Sequence, residues 1–495
     1  MKGSNGAEAA VGAAAAGAGS ADAATAISVA SEATPSAGHS PAFTKFMRGF
    51  WDLATSNSPA RQGAAFAVVQ HLSDPNVPQK DVDYAVVRLL RGICSSREAA
   101  RQGFATCLAE ALLCLSEEQI STADMRDRLF EATKYNGSLK GQEERDACFG
   151  RLFGCAAIAR SGRLGNSDAN ADVAVQLLQA VVELHRMRHW LRQVTVEAAL
   201  DIAKELPDAL LLSKGVPLLQ QMLRPAATVS DGDAAAGEDA STPPLEDMQA
   251  DQLSLAFGLH ALLRERDLLE SDSMALHKSM RRRHLITAGR GAALLEALKQ
   301  STRAFPRLHS VWGRIWDDLG LTLPRPDAIS DKRLRYLKDF WTTVVDEGLA
   351  DGTHTTKGSA LLLVSQVLRR APPAAVPVVI SGGIIRLLLN HAGKEGATLH
   401  AMARSLLAGV SAATTDSADV QVALAASLLQ KGGPRFDART GTRTVAELLE
   451  YLDAASVLKH VEFLKAVARG GEAVEALEAD EPDANNTEVR WALSD

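Results

Sequence analysis

The chain has 495 residues, a formal net charge of −7 at pH 7 and five cysteines. Apolar residues make up 46% of it, yet no apolar run reaches the roughly 18 residues of a transmembrane helix, so we expect no membrane contact. The cysteines form no Cys-x-x-Cys pair and are odd in number, which argues against a secreted disulfide framework.

The composition indicates one secondary-structure class. Ala and Leu supply most of the apolar residues, and both are strong helix formers. Runs of β-branched residues that alternate with polar ones are rare. The predicted fold class is therefore all-α.

Residues 1–40 are rich in Ala, Gly and Ser and contain no Arg. A signal peptide needs an unbroken apolar core and a transit peptide needs Arg. This stretch is predicted to be a disordered leader.

Residues 41–224 are predicted to form a first helical-repeat segment. Within it, Tyr84–Phe104 contains two amphipathic helices separated by a short break, which must pack as an antiparallel hairpin. Ser95-Ser96-Arg97-Glu98 between them is predicted to form a capping box. The predicted helices are 43–56, 59–73, 81–94, 96–115, 121–134, 142–161, 169–187 and 189–205, followed by a short one that starts at 213.

Residues 225–246 contain acidic residues, Pro, Ala and Gly, and are predicted to be an acidic disordered loop or linker. Residues 247–470 are predicted to form a second helical-repeat segment, and 471–495 an acidic tail. The helices predicted in the second segment are 247–263, 290–300, 308–318, 331–348, 356–370, 379–391, 396–413, 417–430, 443–450 and 453–469.

The helix pairs recur at a spacing of roughly 40 residues, which is typical of HEAT or armadillo repeats. No residue-level consensus repeats, so the hairpins would be degenerate. We therefore predict a HEAT/armadillo-like α-α superhelix, a solenoid, with an irregular helical bundle as the alternative.

Cysteine and tryptophan residues lie on helical stripes that are otherwise apolar. Cys94, Cys107, Cys114, Cys148 and Cys155 are predicted to be buried, reduced thiols. Core packing is likewise predicted for Trp51, Trp190, Trp312, Trp316 and Trp341.

A search for catalytic groups finds no convincing constellation. Nucleotide transfer needs paired carboxylates that hold two metal ions, but Asp231 and Asp233 lie in the acidic loop, and adjacent helical residues such as Asp317 and Asp318 point to different faces. A dinucleotide-binding loop at Gly289 would need a preceding strand. His185 and His189 have a metal-compatible spacing but arginines around them. We predict no catalytic site, metal or cofactor.

Basic clusters are the better lead. Residues 274–338 contain 14 Lys and Arg against 5 Asp and Glu, a net charge of +9. Such clusters indicate a phosphate contact, a nuclear-import signal or a solvated helix face. No aromatic residue interrupts Arg281–Arg283, so any nucleic-acid contact there would be with the backbone. The candidate residues are Lys278, Arg281, Arg282, Arg283, Lys332, Arg333, Arg335 and Lys338.

Three segments resemble a known family. They are Tyr84–Phe104, Phe50-Trp51-Asp52-Leu53-Ala54 with the helix after it, and Phe149-Gly150-Arg151-Leu152-Phe153-Gly154 continuing to Leu164. These segments, and more weakly Phe340–Leu349, resemble the N-terminal part of the Myb-binding protein 1A / DNA polymerase V (polymerase phi) family of nucleolar proteins. Family members are typically longer, with an acidic stretch and a Lys-rich tail, so we expect this chain to be a fragment or a short variant.

The resemblance implies a non-catalytic protein of the nucleus and nucleolus. It would support ribosomal RNA transcription and ribosome biogenesis, or act as a transcription coregulator. The partners implied are nuclear proteins, with direct contact to ribosomal DNA or pre-ribosomal RNA left open. Two alternatives remain: a DNA polymerase, as the family's name suggests, and a generic cytoplasmic protein-docking solenoid.

Overall fold

The computed structural model describes residues 41–135, 141–224, 242–270, 277–450 and 452–468. Regular structure in these ranges is helical, without a strand, which confirms the all-α prediction. The predicted leader and acidic tail lie outside the described residues, as does the predicted acidic loop up to residue 241.

The chain divides into two compact units. The first contains the described residues up to Ser121 and those between Arg128 and Ala157, and the second contains Thr122–Asp127 and the described residues from Ile158 onward. Of the three division points, two fall inside helices, and the one between Ser121 and Thr122 lies at the start of a helix.

The first unit is built from short-looped helical hairpins. Helices α1 and α2 pack together, and α4 packs against both α2 and α3. Successive hairpins of this kind are the repeating element of a helical solenoid. The helices that contribute to this unit are α1 (Pro41–Asp52), α2 (Ser58–Leu72), α3 (Gln79–Ile93), α4 (Glu98–Cys114), α5 (Thr122–Ala132) and α6 (Gln142–Arg160).

The hairpin between α3 and α4 forms as predicted, but its capping box does not. Helix α4 begins at Glu98, and its N-cap residue Arg97 makes no side-chain capping hydrogen bond. The Arg101 guanidinium instead donates to the carbonyl oxygens of Ser95 at 2.8 Å and Ser96 at 3.0 Å. A buried arginine therefore holds the turn that the serines were predicted to cap.

The second unit continues the antiparallel pairing. Helix α7 packs on α8, α8 on α10, and α10 on α12; further along, α14 packs on α16, and α17 on both α19 and α20. Its helices are α7 (Asp168–Met187), α8 (Arg192–Glu205), α9 (Val216–Leu223), α10 (Ala250–Glu265), α11 (Arg290–Gln300), α12 (Val311–Asp318), α13 (Asp331–Phe340), α14 (His354–Leu368), α15 (Gly382–Ala392), α16 (His400–Val410), α17 (Ala418–Gly432), α18 (Phe436–Thr440), α19 (Thr444–Glu450) and α20 (Ala454–Ala468).

Two of these helices adjoin wider turns. The segment Trp341–Ala350 continues α13 as a π-helix, so the predicted helix 331–348 is present but changes its hydrogen-bond pattern midway. A second π-helical segment, Leu211–Gly215, leads into α9. The remaining short elements are Asp208–Leu210 and Val376–Val379, and the 3₁₀ turns His189–Leu191, Leu245–Asp247, Lys278–Met280, Ser301–Ala304, Pro373–Ala375 and Ala412–Thr414.

Aromatic packing fills the middle of the second unit. Trp312 and Trp316 stack with ring centroids 5.8 Å apart, and Trp341 lies 6.0 Å from Trp316. All three are fully buried, as predicted. The indole N–H groups of Trp312 and Trp316 donate to Ser301 at 3.0 Å and Gln366 at 2.8 Å, so these polar atoms are satisfied in the core.

The other two tryptophans were predicted wrongly. Trp51 is 61% exposed and Trp190 is 38% exposed. Trp51 directly follows Phe50, which occupies the core position of α1 and is 1% exposed. Adjacent helical residues point about 100° apart, and on α1 Phe50 faces the core while Trp51 faces solvent.

The cysteines largely follow their prediction. Cys107, Cys148 and Cys155 are buried and Cys94 is half-buried, whereas Cys114 is exposed, contrary to expectation. Burial raises the pKa of the Cys107 and Cys155 thiols to about 12. These two thiols are protonated at neutral pH and act as small apolar side chains.

Within the described ranges, no single helix has both the length and the apolar character to cross a bilayer. One bent pair, Pro373–Val379 and Gly382–Ala392, meets these criteria only when its two members are taken together across a 63° bend.

Candidate nucleic-acid interface

The first predicted basic cluster forms an exposed loop in the second unit, which we call the basic loop (residues 278–284). Lys278 opens a single 3₁₀ turn, whose other residues, Ser279 and Met280, are buried. Arg281, Arg282 and Arg283 follow and are all exposed. Two buried side chains thus anchor a turn that presents four cationic side chains to solvent.

Asp318 at the end of α12 holds the chain that leaves the basic loop. This carboxylate is 4% exposed, and its Oδ2 accepts the backbone N–H of Leu285 at 3.0 Å and of Ile286 at 2.8 Å. Both residues are fully buried. Hydrogen bonds from backbone N–H groups to a buried carboxylate are among the stronger ones, so the loop has a fixed base.

Helix α10 supports the basic loop from a second side. The His260 ring lies 2.6 Å, through Nε2, from the carbonyl oxygen of Arg282. The Arg264 guanidinium lies 3.5 Å from Asp318 and donates to the carbonyl of Arg283 at 3.3 Å. Because the loop carbonyls are bound inward, the arginine side chains are left facing outward.

The second predicted cluster, on α13, divides between two faces. Lys332, Arg335 and Lys338 are exposed and successive members are three positions apart, so they follow one side of the helix. Arg333 instead is half-buried: its Nη2 lies 2.5 Å and 2.6 Å from the two ring nitrogens of His284, and its Nη1 donates to the carbonyl of Asp318. Arg333 therefore connects the basic loop to α13.

The His284 imidazole lies where the basic loop meets α13 and is kept uncharged by its surroundings. Burial, and then the neighbouring Arg333, lower the pKa of His284 to about 4. At neutral pH the ring is neutral and accepts a hydrogen bond from the Arg333 guanidinium. Desolvation also lowers the pKa of Arg333. Of the eight predicted residues, seven face solvent and Arg333 lies inward beside His284.

The residues considered for catalysis do not assemble into a site. Asp317, the neighbour of Asp318, instead accepts a hydrogen bond from Arg370 at 2.6 Å. Gly289 caps the start of α11 with φ 73°, and no strand precedes it among the described residues. Asp231 and Asp233 lie outside the described residues.

His185 has a structural setting. It is buried, and its Nδ1 lies 2.8 Å from the Thr195 hydroxyl, which itself donates to the carbonyl oxygens of Leu191 and Arg192. Burial lowers the pKa of His185 to about 4. His189 is exposed at the start of the following turn. In the part of the chain that the structure describes, no three metal-ligating side chains come together.

A cleft of about 1120 Å³ lies beside His185 in the second unit. Cationic and anionic side chains both line it, among them Arg186, Arg192, Asp247 and Asp251. Its walls thus carry opposite charges, in contrast to the basic loop. This mixed character offers no preference for a polyanion.

Residues 84–236 and 246–494 match the model of the DNA polymerase phi family. The chain belongs to this family. The match confirms the resemblance that the N-terminal segments carry.

Several relatives share this similarity. The rDNA transcriptional regulator pol5 of Schizosaccharomyces pombe is 23% identical over 418 residues, which cover 84% of this chain and 41% of the relative. The rDNA transcriptional regulator POL5 of Saccharomyces cerevisiae is 23% identical over 453 residues, covering 83% and 44%. Myb-binding protein 1A of Mus musculus is 31% identical over 183 residues, covering 36% and 13%. The chain spans less than half the length of these relatives.

Proposed function

We propose that this protein is a non-catalytic helical scaffold of the nucleus and nucleolus that supports ribosomal RNA transcription and ribosome biogenesis. Family membership carries the proposal, because two relatives that match more than four-fifths of the chain are named as regulators of rDNA transcription. Transcription coregulation is the second candidate, since other relatives are named Myb-binding protein 1A.

The proposal departs from the polymerase that the family's name suggests. Template-directed nucleotide transfer requires carboxylates that jointly hold two metal ions roughly 4 Å apart. Asp318 is engaged by two backbone N–H groups, and Asp317 by Arg370. Neither carboxylate is directed at a shared metal position. Purified protein should incorporate no labelled nucleotide on a primed template.

The basic loop and the exposed row on α13 are the proposed nucleic-acid contact. The arginines project from a base fixed by Asp318 and α10, which reduces the entropy lost when they meet phosphates. The contact would be to the backbone, and therefore sensitive to salt and weakly dependent on sequence. Its targets are ribosomal DNA or pre-ribosomal RNA, and nuclear proteins occupy other surfaces.

The functional test uses the full-length gene product, tagged and expressed at its native level. Chromatin precipitation should enrich ribosomal DNA over unrelated genes, and depletion should lower the synthesis of pre-ribosomal RNA. Re-expression of the wild-type protein should restore that synthesis. Exclusion of the tagged protein from the nucleus would instead support a cytoplasmic docking solenoid.

A further inference from the structure

The first unit has an exposed patch of aromatic and cationic side chains that plays no part in the proposed function. We define the Trp51 patch as Arg48 and Trp51 on α1 with Tyr84, Arg88 and Arg91 on α3. Trp51 is 61% exposed and Tyr84 is 37% exposed. Trp and Tyr, which combine an apolar ring with a polar group, are enriched at binding interfaces.

The side chains of the patch surround a buried aromatic ring. Phe50 is 1% exposed, and the Tyr84 ring meets it edge-on with centroids 5.7 Å apart. The Arg88 guanidinium lies 6.0 Å from the Phe50 ring centroid and 5.7 Å from that of Trp51. Arg88 therefore bridges the two helices and holds the indole in a cation–π contact, while most of the indole surface remains open.

The charge around the open indole is positive. Arg48 lies 3.5 Å from Asp52, and both side chains are exposed. Arg88 and Arg91 form no ion pair with any described residue. The nearby carboxylates of α3 are already engaged, since Asp81 contacts His71 at 2.9 Å and Asp83 contacts Arg128 at 2.9 Å. The cations of the patch are thus only partly compensated.

The sequence positions show why these groups share a surface. Tyr84, Arg88 and Arg91 stand at positions i, i+4 and i+7 of α3, so they follow one side of the helix. Arg48 and Trp51 are three positions apart on α1 and share a side in the same way. The contact between Arg88 and Trp51 joins the two sides into one surface.

We propose that the Trp51 patch binds single-stranded nucleic acid. One base stacks on the open indole of Trp51, and the phosphates on either side of it meet Arg48, Arg88 and Arg91. Stacking needs only an exposed ring face with cations beside it, and it is available to unpaired bases but not to bases within a duplex. A protein partner would have to supply a pocket for the protruding indole as well as acidic groups.

The Trp51 patch lies in a different unit from the basic loop, has different chemistry and would bind a different ligand. The basic loop offers arginines without an interleaved aromatic residue, which suits a phosphate backbone of either form. The Trp51 patch offers an aromatic platform, which selects unpaired strands. The inference does not rest on the proposed role in ribosomal RNA transcription.

The test measures binding of the whole chain to a fluorescent 12-nucleotide oligouridylate by anisotropy. Trp51→Ala should weaken binding roughly 5- to 150-fold, the loss that corresponds to one stacked base. Trp51→Phe keeps a ring face and should recover part of the affinity. Phe66→Ala is the matched control, because Phe66 is 64% exposed on α2 and makes no cation–π contact among the described residues. Helicity is measured for each variant.

Binding of a 12-base-pair duplex should be unchanged by Trp51→Ala, which separates this patch from the basic loop. Equal losses for Trp51→Ala and Phe66→Ala, or no loss for Trp51→Ala, would overturn the proposal. So would a 12-residue polyglutamate that binds as tightly as the oligonucleotide and depends equally on Trp51, because the occupant would then be an acidic protein segment.

Discussion

Asp318 and Asp317 are adjacent in sequence, yet their replacement should have very different consequences. Asp318→Ala removes a carboxylate that is 4% exposed and leaves the N–H groups of Leu285 and Ile286 without their acceptor. It also leaves the Arg264 guanidinium, 3.5 Å from that carboxylate, without its anion, and removes a 3.8 Å contact with the neutral His284 ring.

The magnitude follows from these contacts. Leaving the two buried N–H donors without an acceptor costs about 1–3 kcal/mol each, so Asp318→Ala should cost about 2–6 kcal/mol, and the partly exposed Arg264 adds little. Asp318→Asn keeps the shape and one acceptor oxygen and should cost about 1.5–3 kcal/mol, the range for a hydrogen bond to a charged group. Asp317→Ala should cost at most about 1 kcal/mol, because the Asp317 side chain is 47% exposed and exposed ion pairs contribute little.

Urea unfolding, followed by tryptophan emission, measures these differences. The fully buried indoles of Trp312, Trp316 and Trp341 all belong to the second unit, so their red shift reports its unfolding. Hydrogen exchange provides a local readout, since the amides of Leu285 and Ile286 should lose protection in Asp318→Ala. Equal destabilisation by Asp317→Ala and Asp318→Ala, or retained protection at the two amides, would refute the role of Asp318 as the anchor of the basic loop.

Two further predictions concern packing and pH. Gly150→Ala should destabilise the first unit by about 1–3 kcal/mol in thermal unfolding, because the added methyl group would overlap the Cys94 sulfur. Gly63 is exposed with open space around it, so Gly63→Ala should stabilise α2 by about 0.5–1 kcal/mol. Two changes of the same sign would contradict this packing. The buried His185 has its pKa lowered to about 4, so between pH 6.5 and pH 4 the unfolded chain takes up a proton that the folded protein does not, and folding stability falls by up to about 3 kcal/mol as the pH drops. His185→Gln should abolish this component in urea titrations at pH 7 and pH 4.5, and an unchanged pH dependence would be inconsistent with a buried neutral imidazole.

The helices were predictable because their signals are local. Apolar periodicity and terminal residues placed α11 at its observed bounds, Arg290–Gln300, and most other helices within a few residues. Where a helix changes type, as at Trp341, the sequence offers no comparable signal. The turn before α4 was missed because Arg101, which lies one helical turn further on, reaches back to the carbonyl oxygens of Ser95 and Ser96, and this contact depends on its burial.

Only part of the candidate site could be predicted from the sequence. Charge counting located the cationic residues of both clusters, but the inward position of Arg333 depends on His284 and Asp318, which are 49 and 15 residues away in sequence. The exposure of Trp51 had no decisive signal, because adjacent helical residues point about 100° apart and a wide apolar face can bury both, as for Phe340 and Trp341, or only one, as for Phe50 and Trp51. Which of them faces solvent is decided by tertiary packing.

The proposed contact between the basic loop and nucleic-acid phosphates is best tested by the salt dependence of binding. Affinity for a ribosomal DNA duplex and for ribosomal RNA is measured across a salt series with the wild-type chain and with Arg281, Arg282 and Arg283 replaced by Ser. The control replaces Arg369, Arg386 and Lys394, which are equally exposed cations of the same unit, by Ser.

We expect the loop variant to bind duplex DNA more weakly and its log–log salt slope to fall by up to about 2.7, since each phosphate contact contributes about 0.9. The control variant should keep the wild-type slope, and both variants should keep the wild-type helicity. Equal affinity and slope in the wild-type chain and the loop variant would contradict the claim and leave a scaffold that binds only proteins through this surface.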